Sequence, residues 1–65
     1  MDLIIGETYK SPTHGRYIQV LGIDKEDSES VTLAIFWVDK DTYQTEPGDL
    51  KVQKSDLKTW TKVVI

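Results

Sequence analysis

Hydrophobic and polar positions alternate along this chain with a period near two, which is typical of β-strands. The two strongest strand signals are "GRYIQVLGID" at 15–24 and "SVTLAIFWVD" at 30–39, both rich in β-branched and aromatic residues. Alternation divides their apolar side chains between two faces. The first stretch separates Tyr17, Leu21 and Ile23 from Ile18 and Val20, and the second separates Val31, Leu33, Ile35 and Trp37 from Phe36 and Val38. Apolar residues on both faces favour strands that curl through the middle of a barrel.

Weaker alternation predicts three more strands, in "GETYK" at 6–10, "DLKVQK" at 49–54 and "KTWTKVVI" at 58–65. The stretch "KSDL" at 54–57 predicts a single 3-10 turn that Ser55 caps and whose Leu57 enters the core. The connections "SPTHG", "DKEDSES" and "EPGD" have the composition of turns, so "DKDTYQTEPGD" at 39–49 predicts one long surface loop. The expected fold is all-β, a small five-stranded barrel with a single 3-10 turn before the last strand.

This order of elements resembles that of an SH3-like barrel. The residues also resemble short SH3-like-barrel proteins of bacteria and their phages, which open with Gly-x-x-Tyr and continue with His-Gly-x-Tyr-x-x-Val. The matching positions are Gly6, Tyr9, His14, Gly15, Tyr17 and Val20, followed by Gly22. The ending "VQKSDLKTWTKV" is similar to the way those chains close. The resemblance implies a fold and a phage or mobile-element setting more than it implies an activity.

Length and composition narrow the class of protein. A chain of 65 residues forms a single domain, 1–65, because a second core would leave too little apolar surface for each half. The absence of cysteine excludes disulfides, thiolate metal sites and cysteine nucleophiles. The N-terminal "MDLIIGETYK" has no basic leader, and the longest apolar run, "LAIFWV", is too short to cross a membrane. We expect a small soluble domain in the cytoplasm, that of a bacterial host if the gene is carried by a phage.

Charge is unevenly distributed along the chain. Residues 24–49 carry eight acids against two lysines, whereas residues 50–65 carry four lysines against one acid. This distribution favours either ordinary solvation of loops and edges or a two-faced molecule with an acidic end and a basic stripe.

A catalytic or metal site is hard to assemble from these residues. His14, the one histidine, lies in the "SPTHG" turn without a nucleophile or an orienting group at a diagnostic spacing. We expect it to bond the backbone of the turn or to stack on Tyr9 or Tyr17. The acidic stretches lack the central glycine of a calcium loop. The sequence therefore predicts a protein that is not an enzyme and that needs no cofactor or metal.

The aromatic residues and the loop acids predict a protein-binding surface. Tyr43 stands in the polar stretch 39–49 with no evident core role, and adjacent Phe36 and Trp37 must face opposite ways. In SH3-like barrels exposed aromatics between loops form peptide grooves. We predict a contact surface of Tyr43, Asp39, Asp41 and Glu46 above Trp37 or Phe36, on a module that engages a protein partner. In a phage setting, this module would be a phage-encoded factor that modulates a host protein.

Two other binding functions remain open at the level of sequence. Lysines interleaved with an aromatic residue are typical of single-stranded nucleic acid binding. Here they are Lys51, Lys54, Lys58, Lys62 and Trp60, with Lys10 and Arg16 as further cations. Edge lysines also serve to prevent sheet aggregation. The second alternative is a small-ligand sponge, which at this size needs a pocket between protomers. The oligomeric state is not determined by the sequence.

Overall fold

The computed structural model describes residues 3–64 and contains five antiparallel strands and one 3-10 helix. In chain order they are β1 Thr8–Lys10, β2 Tyr17–Glu26, β3 Ser30–Val38, β4 Thr45–Gln53, the 3-10 helix Asp56–Thr59 and β5 Thr61–Val63. The all-β fold with a single 3-10 turn before the last strand is therefore confirmed.

The strands form one sheet in the order β4-β3-β2-β1-β5. Strands β2, β3 and β4 form a meander of long strands, and the short β5 returns to pair with β1, where Tyr9 lies opposite Lys62. Within residues 3–64 no ladder joins β4 to β5, so the sheet has two edges and is not a hydrogen-bonded closed barrel. The open sheet leaves β4, a strand of nine residues, at one edge.

One face of the sheet carries the core. Directly opposite residues of antiparallel strands share a face, and the ladders place Ile18, Val20, Leu33 and Ile35 together, all at most 1% exposed. Tyr9 and Trp60 cover this cluster from β1 and from the end of the 3-10 helix, with ring centroids 6.2 Å apart. Leu57 is buried as predicted. Ser55 holds the N-cap position without a side-chain hydrogen bond, so its capping role is not realised.

The predicted faces hold for β3 but not for all of β2. The register shifts between Val20 and Gly22 and again between Ile23 and Lys25. The extra residue, Leu21, is 41% exposed. Because a bulge inserts one residue, it reverses the alternation that follows, and Ile23 lies opposite Leu33 on the core face instead of sharing a face with Tyr17.

The predicted "EPGD" turn and the eleven-residue loop are wrong. Strand β4 begins at Thr45 and includes Pro47 and Gly48, so the connection is only residues 39–44. An edge strand tolerates proline when its nitrogen faces away from the neighbouring strand. Gly48 leaves room for Trp37: a Cβ at position 48 would lie 3.0 Å from Nε1 of Trp37, so the indole would have to shift slightly to admit one.

Candidate functional site

The β3–β4 loop, residues 39–44, is closed by hydrogen bonds at its base. The Asp39 N–H donates to the Gln44 carbonyl at 2.9 Å, and the Tyr43 N–H donates to the Asp39 carbonyl at 3.0 Å. The Asp39 carboxylate accepts the N–H groups of Asp41 and Thr42 at 2.8 and 2.9 Å. An aspartate that caps the turn in this way holds the short loop in one conformation.

Tyr43 is displayed by this loop in a strained conformation. Its φ is +59°, and it is the only described non-glycine residue with a positive φ. Its side chain is 55% exposed. A left-handed tyrosine is uncommon and costs about 1 kcal/mol or more. The loop thus holds an aromatic ring at the surface, away from the core cluster.

The Tyr43 ring borders a groove of about 410 Å³ on the face opposite the core, which we call the Tyr43 groove. Its lining crosses the sheet diagonally, from Thr45 and Val38 through Gln19 and Thr8 to Val63. Gln19 lies directly opposite Phe36, so it is a diagonal neighbour of Val38. Val38 is buried although it lies outside the core cluster. The groove therefore combines a lining of mixed polar and apolar side chains with an aromatic side chain at one end.

A second recess, of about 180 Å³, lies on the other side of the loop around Trp37. We call it the Trp37 recess, and its lining residues are Arg16, Trp37, Asp39, Gln44, Thr45 and Glu46. The Arg16 guanidinium carbon stands 4.6 Å from the indole centroid, and Nη1 of Arg16 donates to Oε2 of Glu46 at 3.0 Å. Trp37, which is half-buried, is thereby covered by a cation that is itself ion-paired.

His14 lies against the same indole, with ring centroids 5.4 Å apart. Its Nδ1 is 3.1 Å from Oγ of the buried Ser11 and 3.2 Å from Oγ1 of Thr13. The histidine side chain thus bonds within its turn, but to side-chain hydroxyls and not to the backbone, and it packs on Trp37 and not on Tyr9 or Tyr17. It supports the indole from the β1–β2 turn, and the two hydroxyls that it contacts belong to the same turn.

The hydrogen bonds of the loop favour the ionised form of Asp39. The backbone amides of Thr42 and, to a smaller extent, Asp41 hold the pKa of Asp39 below its ordinary value, and the positive charge of Arg16 contributes further. Hydrogen bonds from N–H groups favour the charged carboxylate. At neutral pH the recess thus offers a fixed anion beside an aromatic face.

The structure brings together some of the predicted contact residues and separates others. Trp37, Asp39 and Glu46 meet in the Trp37 recess, whereas Tyr43 borders the groove on the opposite face. Asp41 takes part through its backbone N–H. The loop connects the two sites, so the predicted surface is split over two sides of one turn. Phe36 and Trp37 are both half-buried, on opposite faces.

The predicted lysine stripe does not form one surface. Trp60 is 5% exposed in the core and presents no ring face for stacking, so the role expected for it is wrong. Lys51 and Lys62 lie on β4 and β5, the opposite edges of the sheet. Lys54 donates to Glu26 at 2.9 Å and lines a separate cleft with Lys58.

Arg16 is the functional candidate that sequence analysis did not place at this site. It had been grouped with the lysines, yet it binds Glu46, thirty residues further along the chain. Only the pairing of β2 with β3 and of β3 with β4 brings the two near each other. The available signal was its position just before β2, the strand whose first residue, Tyr17, lies opposite Val38 beside the loop.

Metal-ligating groups, membrane-spanning helices and similarity to known proteins give little further information on the function. Among residues 3–64, no group of three or more histidine, cysteine, aspartate or glutamate side chains is arranged to hold a metal ion. In the same part of the chain no helix has the length and apolar character to cross a membrane. No family model, curated protein or solved structure matches the chain.

Proposed function

We propose that this protein is a non-enzymatic binding module that engages a protein partner through the β3–β4 loop. The observation that carries the proposal is Tyr43, an exposed aromatic ring held by a rigid loop in the left-handed region. Strain of this kind persists where the surrounding hydrogen bonds impose it, and it often accompanies a binding role. Exposed tyrosines supply contact area at a low entropic cost.

The two sides of the loop favour a partner segment with apolar and basic side chains. The Tyr43 groove has the apolar Val38 and Val63 in its lining and suits a hydrophobic side chain. The Trp37 recess holds two anions, Asp39 and Glu46, against the one cation Arg16, and residues 39–49 carry four acids against one lysine. Opposite charge on the partner would increase the rate of encounter and fix the orientation.

Further support for a binding module comes from the fold that we propose for the chain, an SH3-like barrel with an open seam. The order β4-β3-β2-β1-β5 and the 3-10 helix before β5 fit that proposal. With the resemblance of the opening residues, we infer a bacterial or phage protein of the cytoplasm that acts on a host protein. The lysine alternative has weaker support because its residues are dispersed and Trp60 is buried.

The proposal is tested by affinity capture from a bacterial lysate treated with nuclease. Wild type is compared with the double variant Tyr43→Asn, Glu46→Gln, in which asparagine tolerates the left-handed backbone. We expect one protein to be retained by wild type and lost from the variant. The matched control Ile23→Asn removes a side chain that is 50% exposed at the far end of β2, and it should retain that protein. Equal capture by wild type and the double variant would contradict the proposal, and capture that vanishes with nuclease would favour nucleic acid.

A further inference from the structure

The free edge of β4 is long and polar. Within residues 3–64, the backbone of β4 pairs with β3 alone, and most residues of β4 are exposed. Proline has no N–H, so Pro47 stands where that group would point away from β3. Lys54 confirms the alternation, because its N–H donates towards β3, to the Glu29 carbonyl at 2.8 Å. Asp49 and Lys51, in phase with Pro47, therefore direct their backbone groups to the free edge.

The charges along this edge are antisymmetric about Leu50. Glu46 and Asp49 precede Leu50 by four residues and by one, and Lys51 and Lys54 follow it by one and by four. In an antiparallel pairing of two β4 strands centred on Leu50, each acid faces a lysine of the other strand. Directly opposite charges of unlike sign stabilise a strand pair, and like charges destabilise it.

Other registers of the same pairing lack this complementarity. Centring the pair on Asp49 or on Lys51 places two identical charges opposite each other. Centring it on Gly48 or Val52 leaves Lys51 opposite an uncharged residue. The register at Leu50 is thus selected by charge.

We propose that β4 is a self-association edge, on which a second copy of this chain pairs antiparallel about Leu50 to form one continuous sheet. In the dimer, Asp49 of each copy lies opposite Lys51 of the other, and each of these two pairs forms two backbone hydrogen bonds. Pro47 of each copy lies opposite Gln53 of the other, and each of these pairs forms one, because proline has no N–H. The edge therefore forms about six backbone hydrogen bonds. Leu50, which is half-buried against the core cluster, meets its own copy on the core face.

Within residues 3–64 the two inner charges have no partner of opposite charge. Among the described residues neither Asp49 nor Lys51 forms an ion pair, since the pairs are Arg16–Glu46 and Lys54–Glu26. A hydrogen bond to Asp49 raises the pKa of Asp24, and slight burial and the negative charge of Asp49 raise it further. Lys51 of a second copy would neutralise Asp49 and relieve this repulsion.

The outer charges can join the same arrangement without breaking existing pairs. Glu46 binds Arg16 through Oε2 and remains 70% exposed, so it can also accept a lysine of the second copy. Lys54 donates one of its three N–H groups to Glu26. The pairing would thus extend two separate ion pairs into one network across the edge.

Sedimentation velocity and equilibrium test the proposal on the intact protein. Wild type should associate to a dimer between about 10 μM and about 1 mM, the range of weak, small interfaces. Asp49→Lys and Lys51→Asp, each alone, turn both central pairs repulsive and should raise the dissociation constant about 10- to 100-fold. The matched control Lys62→Asp changes the same charge on β5 at the opposite edge and should dimerise like wild type.

Mixing the two single variants gives the sharper result. The Asp49→Lys variant has lysine at positions 49 and 51, and the Lys51→Asp variant has aspartate at both. Their edges are complementary in charge, so the mixture should form a heterodimer more tightly than either variant self-associates. The double variant Asp49→Lys, Lys51→Asp should also recover wild-type association. Circular dichroism shows that each variant is folded. A wild type that stays monomeric at about 1 mM, or a mixture that does not associate, would overturn the proposal. Neither result bears on partner capture through the loop.

Discussion

Gly48 offers the most direct test of how the candidate site is built, through the single substitution Gly48→Ala. Its φ lies outside the left-handed region, so the backbone accepts alanine. On that ground alone the change would stabilise the protein by about 0.4–1 kcal/mol, because alanine restricts the unfolded chain. The sign of the effect is then decided by the new methyl group.

That methyl group would lie 3.0 Å from Nε1 and 3.3 Å from Cδ1 of Trp37. Inserting a methyl group into a packed site costs about 1–3 kcal/mol. The lower half of that range applies here because the indole of Trp37 is only half-buried. Moving the ring also weakens the Arg16 contact, worth about 0.5–1 kcal/mol. We expect a net loss of about 1 kcal/mol, or a melting temperature lower by about 4–8 °C in a domain of this size.

Introducing Gly48→Ala into a Trp37→Val background isolates the contact between the new methyl group and the indole. Without the indole, alanine at position 48 should stabilise the protein by about 0.4–1 kcal/mol, so the coupling energy is about 1.5 kcal/mol. Urea unfolding of the four proteins, followed by circular dichroism, measures this cycle. The reasoning fails if Gly48→Ala stabilises the protein with Trp37 present, or if its effect is the same in both backgrounds.

Two further substitutions test the core and the loop. Leu33→Ala empties a site that is 0% exposed and should lower the free energy of unfolding by about 2–5 kcal/mol, which would unfold most of a domain this small at 25 °C. Leu21→Ala, at the exposed bulge, should cost less than about 1 kcal/mol in the same urea titration. Because the pKa of Asp39 is lowered in the folded state, its carboxylate contributes stability above its unfolded pKa and loses that contribution as the pH falls below about 4. Asp39→Asn should therefore lower the urea midpoint at neutral pH and flatten its fall below about pH 4, and profiles that stay parallel to wild type would contradict the role of the two loop amides.

Local pattern determined much of the fold. The period-two alternation of β3 placed Leu33 and Ile35 on one face, and both are buried there. The short "KSDL" signal located the 3-10 helix and its buried Leu57. These features depend on neighbours within a few residues, so they can be predicted from the sequence alone.

Features that depend on strand pairing could not be predicted in this way. Pro47 and Gly48 have turn composition, yet they lie in β4 because that strand is an edge and because Trp37 needs the space at Gly48. The bulge at Leu21, which transfers Ile23 to the core face, is likewise set by the pairing of β2 with β3.

The sequence by itself thus determined the secondary-structure class and the order of the main elements, and it supplied the residues of the proposed binding surface. The tertiary structure decided where those residues meet. It buried Trp60, placed Arg16 between Trp37 and Glu46, and set Tyr43 and Trp37 on opposite sides of one loop. The physical reason is that alternation is encoded locally, whereas register, bulges and edges arise from contacts between strands distant in the chain.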